Sequence, residues 1–188
     1  MFKYGQIEII CGSMFSGKTE ELINRIKKVE FSKEKFAVFK PVKDSRNKGK
    51  NITSHSGITI TAKSVENAKE IYLKSKNINI IAIDEAQFFD MDLTEICIKL
   101  ANENKRVIVS GLDMDFEGRP FGPMPQLMAC AEHVTKLHAI CNETGELANF
   151  TFRKINSNDK ILIGDKTAYE ALSRNCLLYT SDAADDRV

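Results

Sequence analysis

The stretch Ile7-Glu8-Ile9-Ile10-Cys11 running into Gly12-Ser13-Met14-Phe15-Ser16-Gly17-Lys18-Thr19 decides how this chain is read. Residues 12–19 match G-x-x-x-x-G-K-[ST] in full, and the match sits where that pattern needs to sit. An apolar run precedes it, and Leu22, Ile23, Ile26 and Val29 follow at helical spacing. The local order is therefore strand, glycine loop, helix. Gly12 and Gly17 let the backbone wrap closely around phosphate oxygens, and N–H groups at the helix start point into the loop. Lys18 is placed to reach the β and γ phosphates of a nucleotide, and Thr19 to offer its hydroxyl to Mg²⁺. The plain alternative, a glycine turn before an ordinary helix, explains neither the full pattern nor its context.

Working outward, a second strand is expected over 36–39, closed by Lys40 and Pro41. Residues 43–64 turn polar and read as a surface segment with one short hairpin strand, His55 being a solvated loop residue within it. Helical spacing resumes over 65–74. The run Ile78-Asn-Ile-Ile-Ala-Ile83 then gives a nearly continuous apolar strand. A helix over 93–102 and a strand over 106–110 follow. Strands apolar on both faces and alternating with helices indicate a doubly wound parallel sheet, an α/β fold of the P-loop (RecA-like) kind. The pattern holds to about residue 139. From 140 to 176 turn residues separate short strand-like pieces, so a small β-rich C-terminal appendage is expected. Residues 177–188 are expected to be a disordered or non-native tail.

Composition excludes several classes. The 188 residues suit one domain plus an appendage, and 27 basic against 26 acidic residues give a net charge of +1. That balance makes no case for nucleic acid or an anionic membrane as partner. Hydrophobic content is 43%, which excludes general disorder. Cys11, Cys97, Cys130, Cys141 and Cys176 are odd in number and scattered, unlike a secreted disulfide framework. The apolar run at 78–83 is far shorter than the roughly 20 residues that cross a bilayer. A cytoplasmic location is expected.

Asp84 and Glu85 follow the 78–83 strand at its carboxyl end, the edge where such sheets bind ligands. Asp84 suits the Mg²⁺ side of a nucleotide site. Glu85 can accept a proton from whatever attacks the γ-phosphate. If water attacks, the chain is an ATPase, a motor or switch module; if a substrate hydroxyl attacks, it is a kinase. A non-catalytic nucleotide binder is a third class. Mechanistic logic alone leaves these open. Met14, Phe88, Phe89, Phe116 and Phe121 fall near the expected ligand edge and supply flat faces for a ring, although for any single Phe a core position is the commoner outcome.

Gly12 to Thr19, then Lys43-Asp44-Ser-Arg46, Asp84-Glu-Ala-Gln87-Phe88-Phe89, Gly111-Leu-Asp-Met-Asp-Phe116 and Arg119-Pro-Phe-Gly122 together resemble the type II thymidine kinases. The resemblance runs from about residue 6 to 176, with the motifs in family order. It implies transfer of the ATP γ-phosphate to the 5′ hydroxyl of thymidine or deoxyuridine, with Glu85 as general base and Asp84 as the metal-side acid. Gln87 is implied on the ATP side with the loop residues. Asp44 and Arg46 fall near the transferred phosphate. Met14, Phe88, Leu112, Phe116 and Phe121 match the lining of the thymine pocket, and Thr151 and Tyr169 match substrate-side positions in a closing loop, the lasso. The resemblance further implies a homotetramer and inhibition by thymidine triphosphate.

At one place the chain departs from that pattern. Many members tie the lasso base with zinc held by two C-x-x-C pairs, whereas here Cys141 is followed by Thr144 and Cys176 preceded by Ser173. Hydroxyls are poor substitutes for thiolates in a structural zinc site. An alternative array of Cys130, His133, His138 and Cys141 falls on a helix end running into a strand, where the side chains diverge. A metal-free appendage is therefore expected, held by Leu147, Phe150, Phe152, Ile155, Ile161 and Ile163.

Overall fold

The computed structural model describes residues 5–30, 34–43, 51–53, 57–155 and 167–185. Asp44, Arg46, His55, Ile161 and Ile163 lie outside the described residues. Six parallel strands form the central sheet in the order β5-β2-β6-β7-β1-β8: β1 (Gln6–Gly12), β2 (Phe36–Pro41), β5 (Lys63–Val65), β6 (Ile80–Ile83), β7 (Arg106–Gly111) and β8 (His133–Leu137). The polar segment contributes an antiparallel hairpin of β3 (Asn51–Thr53) and β4 (Thr59–Thr61). β5 was not expected: only Val65 is apolar in it, and it exists because its backbone pairs with β2, Phe39 opposite Lys63.

Alternation along each buried strand sends side chains to two separate cores. On one face Ile10, Val38, Ile80, Ala82 and Ile108 pack against α1 (Lys18–Glu30) and the hairpin residue Ile52. On the other, Ile9, Phe39, Ile81, Ile83, Val107 and Val109 pack against α2 (Ala68–Lys74), α3 (Leu93–Asn102) and α4 (Met124–Cys130). α1 forms because Leu22, Ile23, Ile26 and Val29 make one apolar stripe, all buried. Each such burial stabilises by about 1.5–3 kcal/mol. Glu20 and Glu21 in its first turn and Lys27 and Lys28 in its last complement the helix dipole. Asn67 caps α2 by accepting the Glu70 N–H at 3.1 Å. Phe89, 7% exposed, belongs to the second core and not to the ligand edge.

One charged cluster ties α1 to the sheet from below. The Glu8 carboxylate accepts from Arg25 Nη1 at 2.9 Å, Arg106 Nε at 2.5 Å, Arg106 Nη2 at 3.0 Å and Gln6 Nε2 at 2.7 Å. Burial alone pushes this carboxyl up, but the Arg106 hydrogen bonds and charge, with help from Gln6 and Arg25, leave it below its usual 4.5. Because Glu8 titrates lower in the folded than in the unfolded chain, its contribution is complete above pH 4.5 and is lost as pH falls through the folded value. Glu8→Ala removes the acceptor that Arg25 and Arg106 share, while Arg25 keeps Glu21 and Thr135, and is expected to cost about 1.5–3 kcal/mol. Urea unfolding at pH 7 checks the loss, and the gap between the two proteins should narrow in acid.

The described residues of the appendage pack differently from the expectation. β9 (Ala139–Ile140) pairs with β10 (Leu147–Ala148), and β11 (Phe150–Arg153) with β12 (Tyr169–Leu172), both antiparallel. Its core is Ala139, Cys141, Ala148, Ala171 and Leu172, with Phe15, Phe152, Cys176 and Leu177 against it. Leu147 and Ile155, expected inside, are 61% and 46% exposed. Leu147 stands opposite Ile140, itself exposed, on the outer face of a hairpin too short to bury both sides. Of the two expectations for 177–188, a disordered or a non-native tail, the first does not hold up to residue 185, because α5 spans Arg174–Asp185. Leu, Ala and Tyr there are adequate helix formers, and the acidic run does not outweigh them.

Candidate active site

Strand order brings the motifs together. β1, β7 and β6 are neighbours, so the loop after Gly12, the loop after Gly111 and the acids after Ile83 share one carboxyl edge. Gly12 has φ 142°, and a Cβ there would stand 2.1 Å from the Leu137 carbonyl oxygen. Gly17 has φ 85°, which an L side chain rarely adopts. Ser16 Oγ and Lys18 Nζ both donate to the Ser13 carbonyl, at 2.8 and 2.7 Å, so the ammonium lies curled against the loop.

Thr19 Oγ1 donates to Asp84 Oδ2 at 3.4 Å, with Asp84 only 4% exposed. A hydroxyl and a carboxylate at this edge are oxygen donors of the kind a hard divalent cation takes, so the residues present fit Mg²⁺. Glu85 adopts φ 53°, ψ 43°, the left-handed region. For a residue with a side chain that is held strain, of order 1–3 kcal/mol, and such strain clusters at functional sites. Its carboxylate accepts from Gln87 Nε2 at 2.6 Å, and Gln87 Oε1 accepts the Leu112 N–H at 3.0 Å. Gln87, expected beside the nucleotide, is 3% exposed and has both ends of its amide engaged between Glu85 and the β7 loop.

The residues expected to face a ring fall into two contacts. Phe88 and Phe121 stack edge to face, centroids 5.7 Å apart at 89°. The Arg153 guanidinium lies 3.6 Å over the Phe116 ring and 5.6 Å from that of Tyr169. Thr151 Oγ1 accepts the Met14 N–H at 3.0 Å, and Ser13 Oγ donates to the Ala148 carbonyl at 3.3 Å. The appendage thus docks directly on the phosphate loop. Phe15, at φ 64°, packs into the appendage core. Arg153 was missed in the sequence; its one signal is that it follows Thr151 by two positions on a strand and so shares its face. Asp113 Oδ2 pairs with Lys136 Nζ at 2.7 Å, pinning the β7 loop to β8.

The zinc positions do not fit zinc. Cys141 and Cys176 bring their sulfurs to 3.7 Å, but the other two positions carry hydroxyls with other tasks. Ser173 Oγ accepts the Cys176 N–H at 3.4 Å, and Thr144 Oγ1 is engaged with Glu146. Among the described residues no group of three or more metal-ligating side chains forms, and two thiols alone make no structural zinc centre. Burial raises the Cys141 thiol, but backbone N–H groups of Ser173, Thr144 and Glu143, with the Thr144 hydroxyl, bring it down to about 6. The alternative array separates: Cys130 is exposed at the end of α4, and His138 Nδ1 sits 2.5 Å from Asn149 Oδ1.

A phosphate-cradling loop between β1 and α1, with an Asp-Glu pair across a parallel sheet, defines a P-loop α/β protein. Comparison with known proteins narrows this further. The thymidine kinase family model matches residues 5–177. The thymidine kinase of Bacteroides thetaiotaomicron is 48% identical over 174 residues, 93% of this chain and 87% of that protein. Those of Bacteroides fragilis and Porphyromonas gingivalis are 47% and 44% identical, each over 92% of this chain and over 86% and 84% of their own length. The chain belongs to the thymidine kinase family, and with it to the ATP-dependent nucleoside kinases. Among the described residues no helix is long and apolar enough to cross a membrane.

Proposed function

We propose that this chain transfers the γ-phosphoryl group of ATP to the 5′ hydroxyl of thymidine or deoxyuridine. The observation that supports the reading is the chain from the Leu112 N–H through Gln87, which holds the Glu85 carboxylate one residue on from Asp84, the partner of Thr19. ATP is held along residues 12–19, with backbone N–H groups and Lys18 on its phosphates. Thr19 and Asp84 would hold Mg²⁺, which when bound would supply positive charge against the charge that develops in phosphoryl transfer. Glu85 aligns the sugar hydroxyl and takes its proton as the oxygen bonds to the γ-phosphorus, and the bond to the bridging oxygen breaks to release ADP. Gln87 is a positioning residue, holding the Glu85 carboxylate.

Phe88, Phe121, Leu112, Phe116 and Met14 line the pyrimidine side, with Thr151, Tyr169 and Arg153 closing it from the appendage. The family resemblance implies that Asp44 and Arg46 act near the transferred phosphate. A homotetramer, inhibition by thymidine triphosphate and action in the cytoplasm complete the proposal, and follow from the family resemblance. Radiolabelled ATP incubated with a panel of nucleosides is the test. Label should pass to thymidine and deoxyuridine and not to purine nucleosides. Phosphate release that needs no nucleoside would instead favour the motor or switch class.

A further inference from the structure

Two cysteines 35 positions apart meet at the base of the appendage. Cys141 follows β9 and opens a tight turn, its carbonyl accepting the Gly145 N–H at 2.8 Å. Cys176 sits in the first turn of α5, its own N–H held by Ser173 Oγ. The turn and the helix start fix both backbones, and the sulfurs stand 3.7 Å apart, in contact. A disulfide needs about 2.05 Å, an approach that side-chain rotation can cover. Cys176 is half-buried and is the more exposed of the two, whereas Cys141 is buried. Cys11 and Cys97 are buried, with thiols that burial raises to about 11 and about 12.

Among the described residues this corner lacks the further ligands for zinc, yet it keeps the two sulfurs together. We propose that Cys141 and Cys176 are a redox site, forming a reversible disulfide on reaction with a peroxide and so replacing the metal as a covalent staple. The Cys176 thiolate attacks one peroxide oxygen; the O–O bond breaks, a sulfenic acid forms and hydroxide leaves. The Cys141 thiolate then attacks the Cys176 sulfur, the S–S bond forms and the sulfenic oxygen departs as hydroxide. With the two thiol protons the balance is two thiols and one peroxide giving one disulfide and two waters. A thiol reductant reverses it. The bond closes a ring containing Thr151 and Tyr169, so oxidation restrains the strands β11 and β12 that face the phosphate loop.

The test uses the full chain and reads no activity, so it stands apart from the kinase reading. Purified protein is treated with hydrogen peroxide, its free thiols are alkylated, and it is digested with trypsin without reduction. The expected product is peptide 137–153 joined to peptide 175–187, lost on adding dithiothreitol, while the exposed Cys130 is alkylated in untreated protein. Cys176→Ser should abolish the joined pair. Recovery of both cysteines alkylated, or of Cys176 as sulfinic acid with no joined peptide, would overturn the proposal. So would purified protein carrying near one equivalent of zinc per chain that shields both thiols from alkylation.

Discussion

Glu85→Gln is expected to lower the rate of phosphoryl transfer by about 10²–10⁴-fold, a barrier increase of roughly 3–5 kcal/mol, while ATP affinity stays within a few-fold of the original. The substitution keeps size and shape. A glutamine at this position still offers an oxygen to Gln87 Nε2, so the link through Gln87 to the Leu112 N–H survives. The left-handed backbone at φ 53° costs a glutamine about what it costs a glutamate. What changes is the ability to take a proton, which is the role assigned to this side chain. Single-turnover transfer from ATP to thymidine, with ATP binding measured separately, checks both halves. Turnover near that of the unmodified protein would remove Glu85 from the chemistry. Gln87→Leu should cost less, because the base remains and only its aim is lost.

How far such a site can be read without coordinates depends on how local its parts are. The candidate phosphate loop is eight consecutive residues, and its setting between the strand β1 and the helix α1 was legible. So was α3, whose predicted 93–102 is the observed Leu93–Asn102, because an apolar stripe between turn residues leaves little choice of phase. β5 was not legible, since two of its three side chains are exposed and only pairing with β2 makes it a strand. In the two-residue strand β10, alternation is too short to fix which face is inside, and Leu147 was assigned wrongly for that reason. The contact from Thr151 to Met14 spans 137 positions and that from Arg153 to Phe116 leaves no spacing to read. The broken cysteine pairs were visible as a chemical departure; only the fold shows that the survivors still touch.

Lys18→Met should weaken both ATP binding and transfer, together by about 30- to 4,000-fold, the equivalent of the 2–5 kcal/mol typical for removing one partner of a buried charged pair. The ammonium now donates to the Ser13 carbonyl at 2.7 Å, within the loop that Gly12 and Gly17 shape. Bound phosphates would offer this donor far more charge than a carbonyl does, so the interaction lost grows with the ligand present. Methionine keeps the aliphatic stem, is also a good helix former at the first position of α1, and leaves the buried stripe that begins at Leu22 untouched. Thermal unfolding separates the two effects. Without ATP, the midpoint should stay close to the original. With ATP at 100 times its dissociation constant, the unmodified protein gains about 2.7 kcal/mol, and the variant should lose most of that gain. A variant that is stabilised by ATP as fully as its parent, and still phosphorylates thymidine, would show that residues 12–19 are not where the triphosphate is held.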